Sequence, residues 1–266
     1  MVASADNQGQ EGIDSVRFRE VLPGSTSRLA CVDHRETYGR HIIREWSGRI
    51  PRLNKVLDLG CGNGDDLRAI RQGHPEATCW GVDVGGCRDA LGQDGIGISL
   101  DIERESLPFG NEEIDLVVAN QVLEHTKEVF WINHEIARVL KVGGFFILGV
   151  PNVLSLHNRI LGLVGVHPTS NKMCSAHVRP FSKGDVRLFY KACFPGGYEL
   201  VSFRGSQFYP FPRPIARPLS NVFPSLSVSI FFLFEKKRAY GGEFIEYPGR
   251  ARLETAFFGG GQRISA

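Results

Sequence analysis

Lys55 to Asp65 reads KVLDLGCGNGD: an apolar run, an acid near its end, then glycines at alternate positions 60, 62 and 64. Glycine lets a backbone turn sharply and lie against a ligand, and such a turn at the carboxyl end of a strand is where nucleotide-type ligands bind. A dinucleotide loop would carry its third glycine where this chain has Asp65, and an acid there repels a pyrophosphate on the following helix N-terminus. Asp58 beside the loop argues the same way, for a ligand that carries a cation near the turn. Asp83 falls 19 residues past Gly64, at the end of the next apolar run, where a carboxylate can accept both ribose hydroxyls. Asp101-Ile102 follows the third run, placed for a carboxylate to accept from an adenine amino group while the isoleucine packs on the ring. Acids at three successive strand ends fit an adenosine ligand whose ribose is not followed by phosphate.

The elements that must position these residues follow from hydrophobic pattern. Short buried runs at 56–59, 78–83, 95–100, 114–120 and 145–150 predict strands, and apolar residues at helical spacing predict helices over 33–46, 63–72, 87–91 and 127–140. Asn63 is placed to cap the second of these helices. Strands alternating with helices indicate a parallel sheet covered on both faces. Beyond Pro151 the alternation breaks, then resumes with a helix over 182–193, capped by Ser182, and strands over 198–204 and 227–237. Prolines at 210, 212, 214, 218 and 224 argue against regular structure between those last two strands. The expected organisation is a loose arm over 1–32, one domain over 33–238 with cap insertions at 151–181 and 205–226, and a flexible tail over 239–266.

Composition excludes several classes. The chain has 266 residues, 42% hydrophobic and 23% charged, which rules out a disordered or collagen-like polymer and suits one large globular domain. No apolar run reaches the roughly 20 residues of a membrane span, and the first 20 residues do not resemble a secretory signal, so a cytoplasmic location is expected. Six cysteines form no CxxC pair, and the eight histidines form no HExxH or HxxxH pair; no metal site is expected. Residues 1–150 hold 16 basic and 23 acidic side chains, whereas 151–266 hold 15 and 6, a split that points to an anionic ligand or surface near the C-terminal half.

The motif set resembles the class I S-adenosylmethionine-dependent methyltransferases, and most closely their small-molecule group that includes ubiquinone- and sugar-methylating enzymes. Asp58, Gly60, Gly62 and Gly64 match DxGxGxG, Asp83 the acidic end of strand two, and Asp101 to Phe109 the D-x-x-x-x-x-LPF segment. Ile114 to His125 matches the IDLV strand with its polar turn, and Leu140 to Gly144 the LKPGG turn, with Val142 where proline is usual; Gly85 stands where serine is common. The resemblance covers about residues 33–237. It implies an α/β, Rossmann-like, doubly wound seven-stranded sheet of order 3-2-1-4-5-7-6 with strand seven antiparallel, S-adenosyl-L-methionine as cofactor and S-adenosyl-L-homocysteine as product. The implied cofactor contacts are Asp58, Gly60, Cys61, Gly62, Asn63 and Gly64 on the first loop, Asp83 and Val84, Asp101 and Ile102, and Asn120, Gln121 and Val122 beside the sulfonium.

Methyl transfer from a sulfonium is in line, so the protein mostly has to hold two atoms close and aligned. A hydroxyl acceptor also needs its proton removed, and His125, just after strand four, and His177, from the first cap insertion, are the candidate bases. Tyr38, Arg159, Arg179 and Tyr209 are candidate acceptor contacts in a basic, aromatic cap. Such a cap suits an aromatic, anionic, or glycan- or lipid-linked small molecule, the last met at a membrane surface, with oxygen favoured over nitrogen as acceptor. A nucleic-acid or protein methyltransferase, a non-catalytic cofactor-binding protein and a nicotinamide oxidoreductase are the competing readings. The first lacks an N/D-P-P-Y motif and any nucleic-acid-binding module, and Asp65 opposes the last.

Overall fold

The computed structural model describes residues 34–85, 92, 95–168 and 175–263. Its centre is one sheet of seven strands: β1 Lys55–Leu59, β2 Thr78–Asp83, β3 Ile96–Ser99, β4 Ile114–Asn120, β5 Leu140–Pro151, β6 Tyr198–Ser206 and β7 Ser229–Lys236. Their order is β3-β2-β1-β4-β5-β7-β6. β7 runs antiparallel to both its neighbours and the remaining pairs are parallel. This is the expected doubly wound arrangement, and its direction of winding reverses between β1 and β4. In such sheets the crevice outside the strand ends at the reversal is where ligands bind.

Successive side chains of a strand face opposite ways, and β4 shows how that divides the core. Leu116 and Val118 belong to one buried cluster, with Ile42, Ile43 and Trp46 of α2 (Arg40–Arg49) and Leu67 and Ile70 of α3 (Asp65–Arg71). Val117 and Ala119 belong to the other, with Ile132, Ile136 and Val139 of α4 (Val129–Val139) and Val186, Tyr190 and Cys193 of α6 (Lys183–Cys193). Both faces are therefore covered, which is why the strands read as unbroken apolar runs. By the same alternation Asp58 lies on the α2/α3 side of β1, level with Val56.

Several expectations are corrected. The helix predicted over 33–46 is two, α1 His34–Thr37 and α2, divided by Gly39 in the left-handed region (φ 54°). Asn63 does not cap α3: Gly64 occupies the cap position at φ 74°, with no side-chain cap bond. The proline-rich stretch contains a helix, α7 Arg213–Val222, following α5 Leu156–Leu163 of the first insertion. Pro214 stands in its first turn, where an amide would have no helical acceptor. The interior Pro218 is tolerated because Arg213 and Arg217 both grip Glu36 and buried Ala216 and Ser220 anchor the same helix. The tail is not loose throughout. Residues Glu243–Arg250 form α8, whose Phe244 is fully buried among Phe189, Tyr190, Phe194 and Tyr240. Burying one such ring contributes about 2–3 kcal/mol. A short hairpin follows, β8 Phe258–Gly259 with β9 Gln262–Arg263. Ser182 does cap α6, accepting from the Asp185 amide. The expected arm over 1–32 and helix over 87–91 lie outside the described residues.

Candidate functional site

At the β1/β4 reversal the first loop wraps back onto β2: the Gly60 amide donates to the Val82 carbonyl at 2.7 Å, and the Gly64 amide to the Cys61 carbonyl at 2.7 Å. Gly60, Gly62 and Gly64 all have positive φ, at 67°, 47° and 74°. A Cβ on Gly60 would stand 2.4 Å from Cγ2 of Val122, so this glycine is required twice, by its conformation and by the close approach of the turn after β4. Beside the loop opens a cleft of about 390 Å3. Of the residues expected at a cofactor, Gly60, Asp83 and Val84 line it from the β1 and β2 ends, and Asp101 and Ile102 from the β3 end. Gln121, Val122 and His125 line it from the β4 end, with Gln121 held at φ 57°. Asp83 closes the ring by accepting from the Gly62 amide (3.1 Å) and the Gly85 amide (2.9 Å). Carboxylate oxygens have lone pairs to spare beyond these two bonds. Asp101 accepts from the Glu103 amide at 3.0 Å, which fixes its carboxylate at the mouth.

The other expected cofactor residues are not among those lining the cleft. Asp58 is 2% exposed, paired in register with Gly81 and Val118. Burial, and next the charges of Asp66 and Asp83, push its carboxyl well above the usual range. Cys61 is buried, Gly62 and Asn63 are exposed, and Asn120 is 7% exposed. Asn120 Nδ2 donates to the Tyr38 carbonyl (2.9 Å) and to Asp66 (2.8 Å), while its Oδ1 has no partner among the described residues. Asp66 was not anticipated. Burial raises its carboxyl to about 6, against the opposing pull of the Asn120 hydrogen bond and the Arg40 guanidinium. Arg40, also unanticipated, reaches Asp65 at 2.5 Å and lies 5.2 Å over the Tyr38 ring. The sequence trace of this group is the doubled acid Asp65-Asp66 and Arg40, the arginine that opens α2. Buried Asp58 and the mostly buried Asp66 thus lie within each other's field, and Arg40 stands 3.8 Å from Asp66, an arrangement that a further cation would stabilise.

The two candidate bases come together. The His125 and His177 rings meet edge to face with centroids 4.6 Å apart, and the Val178 and Arg179 amides donate to the Glu124 carbonyl, which ties the first cap insertion to the turn after β4. Glu124 beneath them was also missed. Its side chain is 1% exposed, and burial raises its carboxyl to about 8.

The four expected acceptor contacts do not form one group. Arg179 is spent on the Lys127 carbonyl at 2.6 Å, on the His177 side of the cap. Tyr209 pairs with His157, rings 5.2 Å apart, and Arg159 bonds the Leu154 carbonyl at 2.8 Å. The Tyr38 ring is exposed beside the loop. A second cavity of about 410 Å3 lies between α2, α3 and α7, lined by Arg40, His41, Arg44, Arg68, Arg213 and Arg217 among others. His41 there titrates below its usual value, through burial first and then the charge of Arg217.

Residues 57–148 match the family model described as a methyltransferase domain. The match covers about a third of the chain, and the sheet around it has the strand order of the class I methyltransferase fold, which the solved structures below share. Among curated proteins, a malonyl-[acyl-carrier protein] O-methyltransferase of Methylococcus capsulatus is 30% identical over 100 residues, 35% of this chain and 36% of that one. A demethylmenaquinone methyltransferase of Roseiflexus castenholzii is 29% identical over 100 residues, 35% of this chain and 41% of the other. The matched part thus spans less than half the length of these relatives. Among solved structures, the plantazolicin methyltransferase BpumL in complex with SAH superposes over 78% of this chain and 88% of its own at TM-score 0.53 and 17% identity. A SAM dependent methyltransferase from Archaeoglobus fulgidus superposes over 76% and 94% at TM-score 0.51 and 15% identity. No helix among the described residues is long and apolar enough to cross a membrane.

Proposed function

We propose that this chain transfers a methyl group from S-adenosylmethionine to an oxygen of a small, anionic acceptor. One observation carries the reading: the glycine loop and Asp83 border a cleft at the β1/β4 reversal, and behind it Asp58 and Asp66 lie near each other with Arg40 beside Asp66. A ligand with adenosine at one end and an ammonium at the other fits both halves. Asp83 accepts from the ribose hydroxyls, and Asp101 with Ile102 holds the adenine. Asp66 and Asp58 face the ammonium, and Arg40 is the cation within reach of a carboxylate beside it. When bound, the cofactor supplies a methyl activated on a sulfonium. The chain's own part is to hold that methyl against the acceptor, exclude water, and take or direct the acceptor's proton, for which His125 on the cleft wall is placed.

The excess of basic over acidic side chains after residue 150 supports an anionic acceptor, and oxygen is the atom named for the Methylococcus relative. Isothermal titration with S-adenosylhomocysteine, with NAD as control, tests the cofactor. Binding of the first near micromolar and none of the second is expected, and no binding of the first would sink the reading. Phenols, sugars and lipid-linked glycans, each with and without an anionic group, are then screened for methyl uptake. A protein that binds the cofactor but methylates none of them would count against catalysis.

A further inference from the structure

We propose that Glu124, His125 and His177 form a binding site for a divalent transition-metal ion on the rim of the cleft. Each offers one donor atom, and the three atoms lie within 4.8 Å of one another. Two imidazole nitrogens and a carboxylate oxygen are the donor set that zinc, cobalt and iron(II) favour, with further positions left open. Closely spaced ligand pairs such as HExxH, HxxxH or CxxC would be the sequence sign of such a site, and the chain has none. Here His177 arrives 52 residues after His125, carried by the first cap insertion.

Two independent features show the donors prepared for a cation. His125 Nδ1 lies 3.2 Å from the Ala176 carbonyl. A carbonyl only accepts, so Nδ1 holds the proton and Nε2 presents its lone pair, the tautomer and the backbone partner that metal-bound histidines typically have. That Nε2 lies 3.9 Å from Glu124 Oε1. Neighbouring ligands of a tetrahedral ion with bonds near 2.1 Å stand about 3.4 Å apart, so closing this pair takes about half an ångström. Second, Glu124 is 1% exposed, and neither of its carboxylate oxygens has a hydrogen-bond partner among the described residues. Leaving a carboxylate dry and unpaired costs several kcal/mol, which a dication would offset. The Val178 and Arg179 amides bond the Glu124 carbonyl at 2.8 and 3.2 Å, so the backbone already holds the third ligand in place.

His125 lines the cleft, and an ion at this site faces the acceptor with an open position. An acceptor hydroxyl or carboxylate oxygen is the class of ligand that position takes, and a coordinated hydroxyl gives up its proton more readily, to solvent water in this state because His125 Nε2 is then bound to the ion. That role rests on the methyltransferase reading above. Occupancy of the site does not.

The test uses full-length protein, tag removed and stripped with EDTA, titrated with cobalt(II) followed by its visible ligand-field bands and, in calorimetry, with zinc. Binding of one equivalent is expected, weakened by at least about tenfold in each of Glu124→Gln, His125→Asn and His177→Ala. S-adenosylhomocysteine is titrated in parallel into every sample, and far-ultraviolet circular dichroism with a cooperative thermal melt identifies the folded variants; any that fails to fold is set aside in favour of the other two. Wild-type protein that takes up no stoichiometric metal, or folded variants that bind metal as wild type does, would overturn the site. Metal uptake without S-adenosylhomocysteine binding would leave the site standing and sink the methyltransferase reading alone.

Discussion

The loop after β1 is shaped by bonds within itself and to the next strand: Gly64 to Cys61, and Gly60 and Cys61 to Val82. In α7, by contrast, Arg217 bonds Glu36 across 181 positions, and in the adjoining β6 Arg204 reaches Glu45 across 159. A turn whose geometry is set by its own residue types has to display them in the sequence. A cap held by long-range ion pairs does not, because the same arginines would read equally well as a solvated basic face. The difference predicts that damage to the first region abolishes cofactor binding outright, while damage to the second loosens the acceptor side and leaves the cofactor side intact.

The largest effect is expected from Gly60→Val. The substitution forces a β-branched residue to φ 67° and places its Cβ 2.4 Å from Val122. We expect S-adenosylhomocysteine affinity to fall by more than about 100-fold with the far-ultraviolet circular dichroism unchanged, the strain being local. Near-normal affinity would mean that the loop does not contact the ligand.

Next comes the cap. Glu36 is 5% exposed and accepts from Arg213 at 2.9 Å and Arg217 at 2.8 Å. Glu36→Gln removes the charge that joins α1 to α7 and should destabilise the fold by about 1–3 kcal/mol, both arginines being able to turn toward water. Differential scanning calorimetry should register a fall of roughly 3–10 °C in Tm, with S-adenosylhomocysteine affinity at 20 °C close to wild type. A collapse of cofactor affinity would erase the contrast between the two regions.

How much of each region the sequence displayed follows the same division. Asp58, Asp83 and Asp101 were legible because each closes an apolar run, and the strand order followed from the family resemblance that those motifs carry. Asn63 misled because its type suits a cap, whereas the left-handed glycine one residue on takes that position. Helix α7 was hidden because prolines 214 and 218 count against a helix locally, and the ion pairs that hold it come from the other end of the chain. Asp66 was in plain view, yet what makes it notable is burial beside Asn120, and burial depends on the folded sheet. The meeting of His125 with His177 is likewise a property of where the cap insertion lands.

A smaller effect within the first region is expected from Asp83→Ala. The carboxylate that would accept the ribose hydroxyls also holds the Gly62 amide, so its loss should weaken S-adenosylhomocysteine by about tenfold or more. Adenine alone, which makes no ribose contact, should bind the variant as it binds wild type. Equal losses for both ligands would point to a collapsed loop in place of a missing contact.

Asp66→Asn should show the smallest change in affinity and the most informative one. Burial raises this carboxyl to about 6. A ligand ammonium pairs with the ionised form, so wild-type affinity should fall as pH drops through 6 and level off above it. The variant, with no proton to gain at that position, should show a flatter profile and a few-fold loss at pH 8. Stability should move the other way. An acid whose pKa is raised on folding disfavours the folded state progressively as pH climbs from the ordinary value near 3.8 to about 6, and by a constant amount above. Removing the charge should therefore raise the Tm of the ligand-free protein at pH 8 while weakening the ligand, and below pH 4 the two proteins should melt together. Opposite signs in the two measurements identify a carboxylate kept charged and buried for the sake of a bound cation. A variant that is both less stable and weaker in binding at pH 8 would instead mark Asp66 as a structural partner of Asn120.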